Sequence, residues 1–273
     1  MKMRVAFLGD IVGPTGCALL QKHIARIKSD YMIDAVIVNG ENSARQGRGI
    51  TPGIMKFFKH CGVDVVTSGN HIWQCKDIYS YLAEHKDLLR PANFPTDNPG
   101  TGVTTFMCKG YEIAVINLQG RVFMREQSNC PFRTAESLLT YVKSKTKLIF
   151  VDFHAETTSE KMGLAYFLDG KISGFVGTHT HIQTADERIL PNGTAYITDL
   201  GMAGSLNSML GMKKEPIIHH FITQMPTKFE VDTAAPGVLS GVWIEVDTDT
   251  GLATDIQRIR IIDHDLQVAV DDM

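Results

Sequence analysis

The sequence predicts a layered α/β fold, and three features carry that prediction. Short, unbroken runs of Val, Ile, Leu and Phe recur along the chain, stretches with helical spacing separate the early ones, and an alternating pair of runs comes last. The first run, residues 4–8, closes on Gly9-Asp10. Residues 16–28 follow, with Leu19, Leu20, His23, Ile24 and Ile27 spaced as one apolar stripe of a helix. Ala35-Val36-Ile37-Val38 closes on Asn39-Gly40-Glu41-Asn42. A second helix is predicted over 52–61, with Thr51 as its N-cap and Pro52 at its first position. Val63-Asp64-Val65-Val66 ends at Thr67-Ser68-Gly69-Asn70-His71. Residues 91–102, rich in Pro, Asn and Gly, form a loop rather than a linker. Ile113-Ala114-Val115-Ile116 ends at Asn117-Leu118-Gln119-Gly120, and Thr134 is placed to cap a helix over 135–144. Residues 148–153 end at His154, and 174–177 end at Thr178-His179-Thr180-His181. Continuous runs of this kind are strands covered on both faces, and right-handed crossovers make the early ones parallel. Residues 242–247 alternate, 248–251 turn and 253–262 resume, so an antiparallel hairpin accompanies the parallel strands. Nothing marks a domain boundary, and 1–273 reads as a single domain.

Composition removes several classes of function. A hydrophobic content of 44% with 21% charged residues is that of an ordinary globular protein and excludes disorder of the whole chain. A formal net charge of -3 supplies no basic field for coating nucleic acid or membrane. Cys17, Cys61, Cys75, Cys108 and Cys130 are scattered and contain no CxxC pair. Neither a disulfide framework nor a thiolate zinc site is expected, and a reducing, cytoplasmic location fits. No apolar stretch approaches the ~20 residues of a membrane span, and the opening apolar run is too short for a signal peptide.

The chemistry gathers where strands end. In layered α/β folds, loops leaving the carboxyl ends of strands converge on one sheet edge. Here those loops carry Asp10, Glu41, Asn42, Asn70, His71, His154, His179 and His181. Carboxylate, amide oxygen and imidazole, with no thiol among them, suit Mn, Fe, Zn or Co. Asp10, Glu41, Asn42, Asn70, His154, His179 and His181 outnumber what one tetrahedral ion takes. Two metals sharing the two oxygens of Glu41 is the economical arrangement. Such a pair clamps both the attacking and the leaving oxygen of a phosphoryl displacement, with a bridging water attacking as hydroxide. His71, next to Asn70, is the natural general acid. Each residue alone has a plainer reading: Asp10 as a helix cap, Asn70 as a turn residue, His154 as a hydrogen-bonded core histidine. Their joint occurrence at five strand ends is what points to a centre. Other features carry less. His219-His220 has no carboxylate partner nearby and reads as a surface pair, and Cys75 reads as packing. Gly9-x-x-x-Gly13-x-x-Gly16 lacks the spacing of a dinucleotide loop.

Gly9-Asp10, Gly40-Glu41-Asn42, Gly69-Asn70-His71, Asp152-Phe153-His154-Ala155-Glu156 and Gly177-Thr178-His179-Thr180-His181 together resemble the motif set of calcineurin-type metallophosphoesterases. Within that group they are similar to the bacterial YmdB-type cyclic-nucleotide phosphodiesterases. Glu41 stands where most of the group has a bridging Asp, and Ile11-Val12 follows Asp10 where an Asp-x-His is usual, both marks of the subgroup. Arg90-Pro91-Ala92-Asn93 and Gly120-Arg121-Val122-Phe123 extend the likeness. The resemblance implies a four-layer α/β/β/α sandwich with mixed sheets and a dinuclear iron or manganese centre. Asp10, Glu41, Asn42 and His181 would hold one metal, and Glu41, Asn70, His154 and His179 the other, with His71 as proton donor. The implied reaction is hydrolysis of 2′,3′-cyclic nucleotides and of other phosphodiesters. After Asp199-Leu200-Gly201-Met202, residues 203–211 lack the Gly-Pro-Tyr-Asp/Glu run usual there, a departure that bears on specificity. Two rivals stand beside this reading: a phosphomonoesterase or nuclease on the same centre, and a non-catalytic regulator. The regulator would bind a nucleotide or RNA through Arg45, Arg48, Arg121, Arg125 and Arg133. A homo-oligomer is compatible with the sequence, and a membrane partner is not expected.

Overall fold

A computed structural model describes residues 1–268. In chain order its elements are β1 (Lys2–Leu8), β2 (Asp10–Ile11), α1 (Gly13–Asp30), β3 (Ala35–Asn39), α2 (Pro52–His60), β4 (Val65–Thr67) and α3 (Ile78–Glu84). Then come β5 (Val103–Cys108), β6 (Tyr111–Gln119), α4 (Pro131–Val142), β7 (Leu148–His154), α5 (Thr158–Leu168) and β8 (Gly174–Thr178). The last third holds β9 (Arg188–Ile189), β10 (Ala195–Ile197), β11 (Met202–Ser205), α6 (Lys214–Thr223), β12 (Gly237–Asp247) and β13 (Ala253–Asp263).

Two mixed sheets form. The first runs β2-β11-β12-β1-β3-β4, with β13 paired along β12. Strands β1, β3 and β4 are parallel, and β12 is antiparallel to both β1 and β13. The second runs β5-β6-β7-β8-β10-β9, parallel from β6 to β10 and antiparallel at its two outer pairs.

Both faces of these strands are apolar because both are covered. Alternate residues Val5, Phe7, Ile37 and Ile244 of the first sheet meet Val115, Phe150 and Val176 of the second in one core. The other face of the first sheet, with Ala6, Leu8, Val36 and Val38, packs on Leu20, Ile24 and Ile27 of α1 and Phe58 of α2. The outer face of the second, with Ile149, Val151, Phe153 and Phe175, packs on Leu139 of α4 and Leu164 and Leu168 of α5. The layers are α/β/β/α, as expected.

Helix starts differ from expectation in two places. Helix α1 begins at Gly13 with Pro14 in its first turn, and no side chain caps it, so Asp10 is free of that duty. Helix α4 begins at Pro131 after Cys130 rather than at 135; the ring of Pro131 presets the first turn, and Thr134 lies inside it. Thr51 caps α2 as expected, its hydroxyl accepting from the Ile54 N–H at 3.3 Å. Among the described residues no helix is long and apolar enough to cross a membrane.

Phe7 and Phe150 meet across the sheets with ring centroids 5.5 Å apart. Replacing buried Phe150 with Ala removes the inter-sheet contact and leaves a cavity. It should cost about 3–5 kcal/mol, read as a lowered urea midpoint at unchanged slope.

Candidate metal centre

At the carboxyl ends of the strands the apolar core between the sheets gives way to a buried polar layer. It contains Asn39, Thr67, Asn117, Asp152 and Thr178. Asp152 Oδ1 accepts the Thr178 hydroxyl at 2.7 Å, and its Oδ2 accepts the Thr67 hydroxyl and the Asn39 amide. Asn39 and Thr67 belong to the first sheet, Asp152 and Thr178 to the second. Asn117 Oδ1 adds a tie by accepting the Ser68 N–H at 2.9 Å. Burial pushes the Asp152 carboxyl up to about 6, against the pull of the two hydroxyls.

His154 sits at the end of β7, in register with Thr178 of β8. The Thr178 hydroxyl gives its hydrogen to Asp152, so its oxygen accepts from His154 Nδ1–H, at 2.9 Å. That leaves His154 Nε2 to face Glu41 Oε1, Asn70 Oδ1 and His179 Nδ1, each 3.0 Å away. Glu41 follows β3, Asn70 follows β4 and His179 follows β8, so three loops from both sheets meet on one nitrogen. Oxygen and nitrogen lone pairs crowd there, and the cluster requires a positive charge. A proton meets that requirement: burial opposes the charged form of His154, but Glu41, with Asp10 and Asp152, outweighs it and lifts the pKa to about 9. Burial, and then the charge on His154, lower His179 to about 3. Glu41 is held well below the usual carboxylate range by His154 and His71 despite its burial. A divalent cation meets the same requirement with one group. Ligand atoms of Glu41, His154 and His179 all lie within 4.8 Å of one another, close enough to share one ion. The donor set fits a hard-to-borderline metal.

The other expected ligands lie alongside. Asp10 is fully buried on β2; its Oδ2 accepts the His179 N–H at 3.3 Å, and its Oδ1 is 3.8 Å from His181 Nε2 with no hydrogen-bond donor. Burial raises the Asp10 pKa, against His181 and His154. The Asn42 amide nitrogen donates to Gly47 O at 2.9 Å and lies 3.2 Å from His71 Nδ1, and Asn42 Oδ1 is likewise buried without a donor. Two orphaned buried acceptors beside one cluster are costly unless a cation completes them. Glu41 spans the two groups. Its Oε2 accepts the His71 N–H at 3.0 Å, and its Oε1 lies 3.3 Å from His71 Nδ1. His71 is half-buried at the edge of the site.

The histidine loop is held under strain. His179 and His181 have φ of 103° and 66°, conformations that cost non-glycine residues about 1–3 kcal/mol each. Asp199 holds this loop, accepting the Thr180 N–H at 3.1 Å while forming a fully buried ion pair with Lys161 at 2.7 Å. His181 Nδ1 lies 3.0 Å from Leu210 O, and His179 Nε2 lies 3.1 Å from Glu156 Oε2. A carboxylate on the far nitrogen fixes which nitrogen of His179 faces the cluster. Glu156, Asp152, Lys161 and Asp199 were not among the expected site residues. Asp152 and Glu156 carry a sequence signal, two positions either side of His154, and Asp199 opens the run Asp199-Leu200-Gly201-Met202, whereas Lys161 carries none. His219 and His220 lie on α6 with no carboxylate partner among the described residues, and Cys75 is half-buried, its thiol pKa raised by burial.

Gly69 is required where it stands, because a Cβ there would lie 2.1 Å from the His154 ring. Gly69→Ala should therefore displace that ring. Metal retained after dialysis against Mn²⁺ should fall severalfold while far-ultraviolet circular dichroism stays unchanged.

Residues 6–259 match the family model described as YmdB-like protein. The chain is 46% identical over 263 residues to the 2′,3′-cyclic-nucleotide 2′-phosphodiesterase of Bacillus subtilis (strain 168), covering 96% of this chain and 98% of that protein. A crystal structure of a phosphatase from Mycoplasma pneumoniae superposes with a TM-score of 0.91 at 37% identity, over 97% of this chain and 95% of that one. The NAD nucleotidase of Haemophilus influenzae, at 14% identity and a TM-score of 0.59 over 96% of this chain and 56% of that one, shares the fold alone. By a match that runs through nearly all of its described length, the chain belongs to the YmdB-like family.

Proposed function

We propose that this chain is a dinuclear-metal phosphodiesterase that hydrolyses 2′,3′-cyclic nucleotides, with residues 1–273 acting as one domain in a reducing cytoplasm. One observation carries the reading: Glu41 Oε1, Asn70 Oδ1 and His179 Nδ1 all lie 3.0 Å from His154 Nε2. Membership of the family, and the name of the Bacillus subtilis relative, support the substrate class.

On this reading Asp10, Glu41, Asn42 and His181 hold one ion, and Glu41, Asn70, His154 and His179 the other, with iron or manganese as the metal. When bound, two such ions supply Lewis-acid stabilisation of the phosphoryl oxygens and make water a nucleophile near neutral pH. The remaining work falls to the protein. Asp152 and Thr178 orient His154, Glu156 orients His179, and Asp199 keeps the strained loop in place. His71 Nδ1 is taken up by the Asn42 amide at 3.2 Å and Glu41 Oε1 at 3.3 Å, so the proton the ring can deliver is the one on Nε2. That proton goes to the ribose 2′ oxygen as its bond to phosphorus breaks, while the oxygen of water bonds to phosphorus and the product is a 3′-monophosphate.

Glu41→Gln keeps the size of the side chain but removes the shared charge. Bound metal, measured by elemental analysis, and turnover of 2′,3′-cyclic AMP should both be lost; normal turnover in that variant would sink the assignment. His71→Ala should retain metal and slow hydrolysis of 2′,3′-cyclic AMP by ~10²–10⁴, the contribution of a general acid. With bis-p-nitrophenyl phosphate, whose leaving group needs no proton, the loss should be much smaller. Equal losses on both substrates would remove His71 from the role. The phosphatase from Mycoplasma pneumoniae supports a second reading, monoester hydrolysis. Nucleoside monophosphates assayed beside cyclic nucleotides under one metal condition separate the two.

A further inference from the structure

Beside the centre lies a cleft of about 370 Å³, lined by Gln46, Arg48, Met212, Thr227, Lys228 and Phe229. Both of its walls are tied to expected ligand residues. On one side, Gly49 N–H donates to Glu41 O at 2.6 Å and the Asn42 amide donates to Gly47 O at 2.9 Å. Gln46 and Arg48 therefore project from backbone that Glu41 and Asn42 hold directly. On the other side, Leu210 O contacts His181, and Met212 packs its side chain against Gly47, where a Cβ would lie 2.5 Å from the Met212 methyl. Met212 pairs with Val231, and Lys213 N–H donates to Glu230 O at 2.8 Å, which brings 227–229 back over the cleft. The segments that line the cleft are thus continuous with the loops that carry the expected ligands, and none of those ligands lines it.

Its chemistry is opposite to that of the cluster. Among the described residues no carboxylate lines it. Arg48 and Lys228 are exposed and, among the described residues, neither forms an ion pair; neighbouring Glu230 pairs with Lys213 at 2.9 Å and also feels the charge of Lys228. Phe229 adds an exposed aromatic ring. Two free cations and a ring are the parts with which proteins hold single-stranded nucleic acid, by phosphate contact and base stacking. A 2′,3′-cyclic mononucleotide has one phosphate, and on the proposed function the metal centre would take it. Arg48 and Lys228 then have nothing to bind in that substrate. In an oligoribonucleotide closed at its 3′ end, the terminal ribose carries a second phosphodiester on its 5′ oxygen, and a second base beyond it.

We infer that this cleft is a subsite for that second phosphodiester and base, so that the substrates include RNA 3′ ends closed as 2′,3′-cyclic phosphates. The inference rests on the proposed function. Its test uses the metal-loaded full chain and three substrates: adenosine 2′,3′-cyclic phosphate, the same compound with a 5′-phosphate, and the dinucleotide ApA ending in a 2′,3′-cyclic phosphate. The dinucleotide should have a KM about tenfold or more below that of the cyclic mononucleotide, from stacking and phosphate contact together. Its KM should also rise more steeply with salt. The 5′-phosphorylated compound should gain less, having the charge without the base. Arg48→Ala and Lys228→Ala should each shrink the dinucleotide-to-mononucleotide ratio of kcat/KM by about threefold or more. Phe229→Leu should shrink that ratio too, but leave the gain of the 5′-phosphorylated compound unchanged. Equal KM values for the three substrates, or a ratio untouched in all three variants, overturns the subsite. A gain for the 5′-phosphate equal to that for the dinucleotide overturns the RNA assignment in favour of a terminal phosphate. Absence of turnover on the cyclic mononucleotide overturns the proposed function instead.

Discussion

A single buried carboxylate fixes how the polar ends of the two sheets meet. Asp152 accepts hydrogen from Thr67 of the first sheet and Thr178 of the second, in a layer that water does not reach. Because Thr178 spends its hydrogen there, its oxygen can only accept from His154, and the orientation of the His154 ring follows. Remove the carboxylate and Thr178 is free to turn, so the identity of the nitrogen facing the loops is no longer imposed. In a low-dielectric layer a partly satisfied network costs more than none, and this sets the relative position of the sheets sharply. The geometry around Glu41 and Asn70 is a consequence of that position, since both reach His154 from the opposite sheet.

The cluster itself works against folding. It gathers lone pairs around one nitrogen, leaves Asp10 Oδ1 and Asn42 Oδ1 without donors, and bends two histidines into left-handed conformations. Local conflicts of this kind collect where function is built and are offset by the surrounding scaffold. The scaffold here is the three-core sandwich, together with the buried Lys161–Asp199 pair beneath the histidine loop.

How far the sequence foretells all this depends on how local each signal is. Strands β1, β3, β7 and β8 are legible because both of their faces are buried, so their runs are unbroken. Helix α5 is not, because exposed Met162 and Tyr166 interrupt the stripe of Leu164, Ala165 and Leu168. In α6 only Ile217 is buried, while Ile218, Phe221 and Ile222 face outward, so no periodicity marks its inner face. The structure gathers all the expected ligand residues at one end of the sandwich, since each directly follows a strand. The contacts that support them stay hidden from the sequence. The hydrogen bond of Thr178 to Asp152, the pairing of Lys161 with Asp199 and the meeting of Arg48 with Lys228 join segments far apart in the chain, with no common motif to announce them.

The pairing of β1 with β12 has a consequence for the order of events in synthesis. Strand β1 is central to its sheet, yet one of its edges is filled by residues 241–247, while β3 and β4 complete the other side early. At translation speeds of about 5–20 residues per second, the interval between the emergence of β4 and β12 is roughly 10–30 s. Through that interval the nascent sheet has an open edge, of the kind that recruits foreign strands. Asp10 lies on β2, which pairs with β11, and β11 in turn leans on β12. Glu41 and Asn70 therefore leave the ribosome long before the strands that hold Asp10 in the sheet, and the full set of expected ligands comes together only once the late strand has closed the gap. Capture of metal by all of these residues would then mark a molecule whose folding is complete.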